Sequence, residues 1–177
     1  MDLVPRAARN FVQKRMITVA EASTDTEWEQ ALAVMHAVYV GEGYTSGEAA
    51  QQNMLREKFA AGGTLLITKD ENGDVSGATL LLHADSPLKQ IARDGEREFR
   101  VLAVRADARG SGAGEALVRA CIARAEMEAS ALVLWTQPRM NAAQRLYERL
   151  GFVRDPARDV PDPRGFIRLV YVRSFAT

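Results

Sequence analysis

Arg109-Gly110-Ser111-Gly112-Ala113-Gly114 separates an apolar run, Val101-Leu102-Ala103-Val104, from a stretch in which Leu117, Val118, Cys121, Ile122 and Ala125 recur at helical spacing. Glycine at 110, 112 and 114 keeps Cβ atoms off the turn and permits backbone angles that other residues avoid. The main chain there is open to close approach by a bound polyphosphate. A helix from Glu115 to Ala129 would present unpaired N–H groups and the positive end of its dipole to the same point. Ala131 to Trp135 then reads as a compact apolar strand, so strand, glycine turn, helix and strand form one crossover unit with neighbouring parallel strands.

Two familiar phosphate loops do not fit the stretch. Counted from Gly110, the dinucleotide fingerprint requires glycine at 115, where the chain has Glu115. A nucleoside triphosphate loop requires Lys followed by Ser or Thr after its last glycine, and Gly114 is followed by Glu115-Ala116. The same glycines also suit a tight turn with close helix-to-sheet packing, and at this point both readings stand.

Outward from this unit the pattern alternates helices and strands. Ile17 to Ala20 reads as a first strand. Asp25 is a candidate N-cap for a helix whose apolar set includes Trp28, Leu32, Met35 and Tyr39, ended by Gly41 and Gly43. A second helix opens at Ser46 or Gly47, runs to about Phe59 and is closed by Gly62-Gly63. Thr64 to Thr68 and Val75 to His83 flank Asn72-Gly73 as a hairpin, with Gly77 at a bulge. After a polar loop, Asp85 to Gly95, the run Glu98 to Val104 is the strand that enters the glycine turn. Asn141 to Leu150 is a short helix with a C′ glycine at Gly151, and Phe152-Val153 and Ile167 to Val172 are the last strands. Asp155 to Gly165 between them, with its prolines, reads as an ordered loop.

Composition narrows the function classes. With 177 residues, 47% of them hydrophobic and 26% charged, the chain suits a soluble globular domain, taken here as residues 16–177 behind a flexible N-terminal extension, 1–15. Lys plus Arg and Asp plus Glu balance at 23 each, which removes the bulk electrostatic case for nucleic acid or an anionic membrane. A single cysteine, Cys121, forms no internal disulfide, and no apolar run approaches the roughly 20 residues of a membrane span. A cytoplasmic protein is expected. The two histidines, His36 and His83, lack metal-ligand spacing, and no metal site is expected.

Three motifs in order, Val101-Leu102-Ala103-Val104, Arg109-x-x-Gly112-x-Gly114, and Asn141 to Tyr147 followed by Leu150-Gly151-Phe152, make the chain resemble the GNAT superfamily of acyl-CoA-dependent N-acetyltransferases. The resemblance spans about Ile17 to Val172. It implies an α/β (α+β) fold with a mixed, mostly antiparallel sheet flanked by helices, and a V-shaped splay between the fourth and fifth strands. It further implies acetyl-CoA as cosubstrate, its pyrophosphate on the amides of Arg109, Gly110, Ser111, Gly112, Ala113 and Gly114. The pantetheine arm would run in the splay beside Leu102, Ala103, Val104 and Asn141, with the thioester carbonyl polarised as in an oxyanion hole.

Aminolysis of a thioester needs a neutral amine and a departing thiolate. Tyr147 is the candidate acid for the thiolate, since a phenol with a reference pKa of about 10 is protonated at neutral pH; its place on an apolar stripe also suits a core aromatic. The resemblance makes Glu98, four residues before Leu102 where some members of the family carry a glutamate base, the leading candidate to take the ammonium proton, either directly or through water, with Glu96 a second candidate. Alternation along the strand puts Glu98 on one face with Arg100 and Leu102. The opposite reading makes the charges from Arg93 to Arg100 a solvated strand edge. Tyr39, Glu42 and Tyr44 fall where this family builds acceptor pockets. Glu42, Asp155, Asp159 and Asp162 suit a cationic amine, and Arg154, Arg158 and Arg164 suit an acidic one, so a small molecule, a peptide or a protein amine all remain open as acceptors, as does a homodimer. The rival function is a non-catalytic CoA-binding or sensing domain, which would bind CoA and be indifferent to Tyr147→Phe.

Overall fold

The computed structural model describes residues 17–176; the extension expected over 1–15 lies outside them. Strands β1 (Val19–Glu21), β2 (Gly63–Lys69), β3 (Val75–Leu82), β4 (Glu96–Val104), β5 (Ala131–Thr136), β6 (Val153–Arg154), β7 (Val160–Pro161) and β8 (Ile167–Ser174) alternate with helices α1 (Asp25–Gly41), α2 (Gly47–Asn53), α3 (Arg56–Gly62), α4 (Ala113–Glu126) and α5 (Asn141–Arg149). The sheet order is β1-β2-β3-β4-β5-β8-β6, with β7 on β8. Neighbouring strands are antiparallel except β4 and β5. That parallel pair flanks the crossover through α4, and the fold is a mixed, mostly antiparallel sheet with helices on both faces.

Period-2 alternation divides the core. Leu65, Ile67, Ala78, Leu80 and Leu82 face Trp28, Ala31 and Met35 of α1 and Phe59 of α3, whereas Leu66, Leu81 and Phe99 face Leu117, Val118 and Cys121 of α4. Both faces of β2 and β3 are therefore buried. Burial drives the Cys121 thiol up to about 12, which leaves it a small apolar side chain.

Several boundaries differ from expectation. Thr24, not Asp25, caps α1: its hydroxyl accepts from Glu27 N while Glu27 reaches back to Thr24 N, a capping box. Lys69 and the amides of Ser23 and Thr24 hold the Glu27 carboxyl down to about 2. The single helix expected from Ser46 to Phe59 breaks at Met54-Leu55 into α2 and α3, with Ser46 capping α2 through Ala49 N. The hairpin bulge falls at Ser76, beside Gly77, which lies close to Leu117 of α4. The reading of Arg93 to Arg100 as a solvated edge holds for Arg93 and Asp94, which are exposed, and is overturned from Glu96 on. β4 is central in the sheet, Arg97 and Glu98 are buried, and Glu96 forms a buried ion pair with Arg158.

Candidate active site

Strands β4 and β5 pair only at Glu96↔Ala131, Arg97↔Leu132 and Glu98↔Val133. Beyond this crotch, β5 stays with β8 through Thr136, while Ala103 and Val104 of β4 stay with Ala78 and Gly77 of β3. The strands part because each follows its antiparallel partner. Between Arg100 and Ala103, β4 carries one residue more than the facing segment of β3, and Val101 takes φ +59°. A β-branched residue there costs of order 1–3 kcal/mol, strain of the kind found at functional sites. This bulge interrupts the alternation that was to put Glu98, Arg100 and Leu102 on one face. It also leaves Val101 and Leu102 without a register partner on β3, and the Tyr39 hydroxyl donates to the Leu102 carbonyl at 3.3 Å.

The gap opens into a cleft of about 700 Å³ lined by residues from α1, α2, α3, β4, β5, α5 and β8 and the connections around them. Leu102, Tyr39 and Tyr147 belong to its lining; Ala103 and Val104 do not. Tyr147 is set by the end of α5. Gly151 at φ +85° lets the Phe152 and Gly151 amides bond the Tyr147 and Glu148 carbonyls, a Schellman cap. Phe99, Phe152 and Tyr171 surround the Tyr147 ring at centroid distances of 5.9, 6.0 and 6.1 Å. Among the described residues its hydroxyl has no hydrogen-bond partner, and burial pushes the phenol well above its ordinary range.

Glu98 sits at the crotch, fully buried and outside the cleft lining. Its Oε2 accepts from the amides of Gln90, Ile91 and Ala92 at 3.0, 3.1 and 3.1 Å, and its Oε1 is buried without a partner. Arg158 grips the same loop through the Ile91 carbonyl at 2.7 Å.

The glycine turn lies beside the fork. Gly110 and Gly112 adopt φ +77° and +95°, and Gly112 is the N-cap of α4 without a side-chain cap. Ser111 Oγ accepts from Ala113 N, and the Ser111 amide bonds Ala108 O. Among the described residues the amides of Gly110, Gly112, Gly114 and Glu115 have no partner in the chain. That is a set of donors at a helix start, as a pyrophosphate requires. An alanine at Gly112 would hold an L side chain in the left-handed region at about 1–2 kcal/mol, so Gly112→Ala should lower Tm by about 2–8 °C. It should also weaken acyl-CoA binding, both read in one thermal titration.

Other expected site residues scatter. Asn141 starts α5 but is exposed and outside the lining, where its neighbour Met140 takes part. Glu42 pairs with Arg109, Tyr44 carries Arg139 over its ring at 5.1 Å, and neither Glu42 nor Tyr44 lines the cleft. The Tyr44 carbonyl accepts from Gln137 Nε2 at 2.9 Å and Arg164 Nη1 at 3.1 Å, a fixed rim between the two walls. Asp159 is engaged by Arg154, and Asp162 by Arg164 and Arg168. Sequence reasoning missed Lys58, Lys89, Arg100, Trp135 and Arg168 in the lining. Arg100 stood out only as the last member of a charged run, Glu96-Arg97-Glu98-Phe99-Arg100, and no spacing tied it to the others. No group of three or more His, Cys, Asp or Glu among the described residues is placed to hold a metal ion, and no described helix is long and apolar enough to cross a membrane.

Known proteins match this arrangement. A solved GNAT acetyltransferase from Staphylococcus aureus Mu50 superimposes with TM-score 0.70 at 16% identity, over 91% of this chain and all (100%) of its own. A structure from Corynebacterium glutamicum, described as histone acetyltransferase HPA2 and related acetyltransferase, gives 0.70 at 23% over 91% and 97%. A GCN5-related N-acetyltransferase from Kribbella flavida gives 0.65 at 21% over 90% and 98%. No curated protein matches the chain. The model of the acetyltransferase (GNAT) family matches residues 28–152, from the first helix to the turn that seats Tyr147, and the chain belongs to that family of acyltransferases.

Proposed function

We propose that the protein is an acetyl-CoA-dependent N-acetyltransferase, with residues 16–177 as its catalytic domain, that acts on a primary amine in the cytoplasm. The observation that carries the reading is the fork itself: unpaired amides at the start of α4 stand beside a gap whose lining includes Tyr147. Acetyl-CoA supplies the activated acetyl group. The amides from Arg109 to Gly114 hold its pyrophosphate, aided by the α4 dipole. The bulged backbone at Val101 and Leu102, without a register partner on β3 or β5, provides polar groups for the pantetheine arm and for the oxygen that gains charge as the amine attacks. Tyr147 donates its proton to the departing sulfur.

Glu98 takes the proton of the attacking amine through Oε1. This buried oxygen has no protein donor, while its twin is fixed by three amides. Because Glu98 lies behind the lining, a water molecule relays the proton. The test is Tm with saturating acetyl-CoA, CoA, ATP and NAD in parallel. At 100-fold its Kd a ligand adds about 2.7 kcal/mol, a rise of roughly 5–10 °C for a chain of this size. A rise with acetyl-CoA and CoA alone is expected; a rise with ATP or NAD alone would overturn the reading.

A further inference from the structure

The charges around the cleft do not balance. Its lining includes Lys58, Lys89, Arg100, Arg164 and Arg168 against one carboxylate, Asp162. Asp162 is saturated: Oδ1 accepts from Arg164 N and Nε, and Oδ2 from Arg164 Nη2 and Arg168 Nε. Four donors leave an ionised carboxylate no lone pair for an ammonium ion. Lys58 and Lys89 spend their ammonium groups on the carbonyls of Gln52 and Ala84, which do not neutralise them.

Arg100 is the decisive member. Its Nη1 donates to the Leu88 carbonyl at 3.1 Å, and among the described residues it has no ion pair. Glu98, two residues earlier, acts on it only at a distance, with Oε2 committed to three amides. Burial makes its charge costly, and the charges of Arg168 and Arg164 add to that cost. A half-buried guanidinium among like charges is stable when an anion completes it, and its planar fork suits a carboxylate or phosphonate.

We infer that the acceptor is a small amine carrying an oxyanionic group, an amino acid or aminophosphonate, whose anion seats on Arg100 with Arg168 beside it. Leu102 and Tyr147 border the same cleft, so one small molecule places its anion on Arg100 and its amine toward the fork. The rim from Tyr44 to Gln137 and Arg164 favours a small acceptor over a protein segment laid across the cleft. This inference rests on the acyl-transfer reading.

The experiment measures thiol release from acetyl-CoA with the common amino acids, their carboxamides, aminomethylphosphonate and spermidine, on the wild type, Arg100→Lys and Arg100→Gln. At least one amino acid or the phosphonate should exceed its uncharged or cationic counterparts by about 10- to 100-fold in kcat/KM. Arg100→Gln should erase that preference and Arg100→Lys should retain part of it, while both keep the Tm rise with CoA that reports an intact fold. Preference for spermidine or carboxamides, indifference to Arg100→Gln, or no turnover of any anionic amine despite a Tm rise with acetyl-CoA would overturn the inference and leave the cofactor reading intact. No Tm rise at all would sink both. Preference between carboxylate and phosphonate identifies the source of the anion.

Discussion

Tyr147→Phe is expected to lower kcat by about 10²-fold with little change in Tm or in the Tm rise given by CoA. The ring is held by Phe99, Phe152 and Tyr171, and the turn beneath it by backbone bonds to the Tyr147 and Glu148 carbonyls. Phenylalanine preserves all of these contacts. What it removes is one oxygen that, among the described residues, has no partner, on a side chain that lines the cleft. Burial raises the phenol's pKa, so the acid stays protonated across any practical assay range. The wild-type rate should consequently rise with pH as the acceptor amine deprotonates, with no alkaline fall from Tyr147. An unchanged kcat in the variant would show that the thiolate, with a reference pKa of about 8.5, departs without a proton donor.

What was legible in the sequence was mostly local. The stripe from Leu117 to Ala125, the hairpin around Asn72-Gly73 and the C′ glycine at Gly151 each follow from spacing or from one residue's backbone freedom. The break at Met54-Leu55 carries neither glycine nor proline, so nothing in the chain announces it. The bulge at Val101 runs against local preference, since a β-branched residue disfavours positive φ. It exists because β4 is held by β3 on one side and released by β5 on the other. The charges of β4 misled for a related reason. Arg97 finds the Leu82 carbonyl at 2.6 Å and Glu98 finds three amides, partners that only the fold supplies. The cationic cleft was equally hidden, because Arg100, Lys58 and Arg168 come from β4, α3 and β8.

Glu98→Ala and Glu98→Gln should separate two duties of one carboxylate. Alanine strands three amides, at Gln90, Ile91 and Ala92, that now point at a buried carboxylate. An unsatisfied buried donor costs about 1–3 kcal/mol, and partial relaxation of the loop brings the total to about 3 kcal/mol, or about 6–12 °C in Tm. Arg158 still holds Ile91 O and Glu96, so the loop loosens at one anchor and keeps the other. Glutamine keeps an acceptor facing the amides and should cost about 1–2 kcal/mol, the charge assistance alone. It cannot take a proton at Oε1. If that oxygen relays the amine's proton, Glu98→Gln loses about 10²-fold in kcat at neutral pH, out of proportion to its stability. The loss should shrink as pH rises and the acceptor arrives already neutral. A merely structural Glu98 predicts the reverse pattern: Tm falls in both variants, kcat of the folded fraction is unchanged, and the variant's pH profile parallels the wild type. The split between kcat and Tm therefore decides whether the unpartnered oxygen at the crotch of the fork is used in proton transfer or is the residue of an anchoring carboxylate with one oxygen to spare.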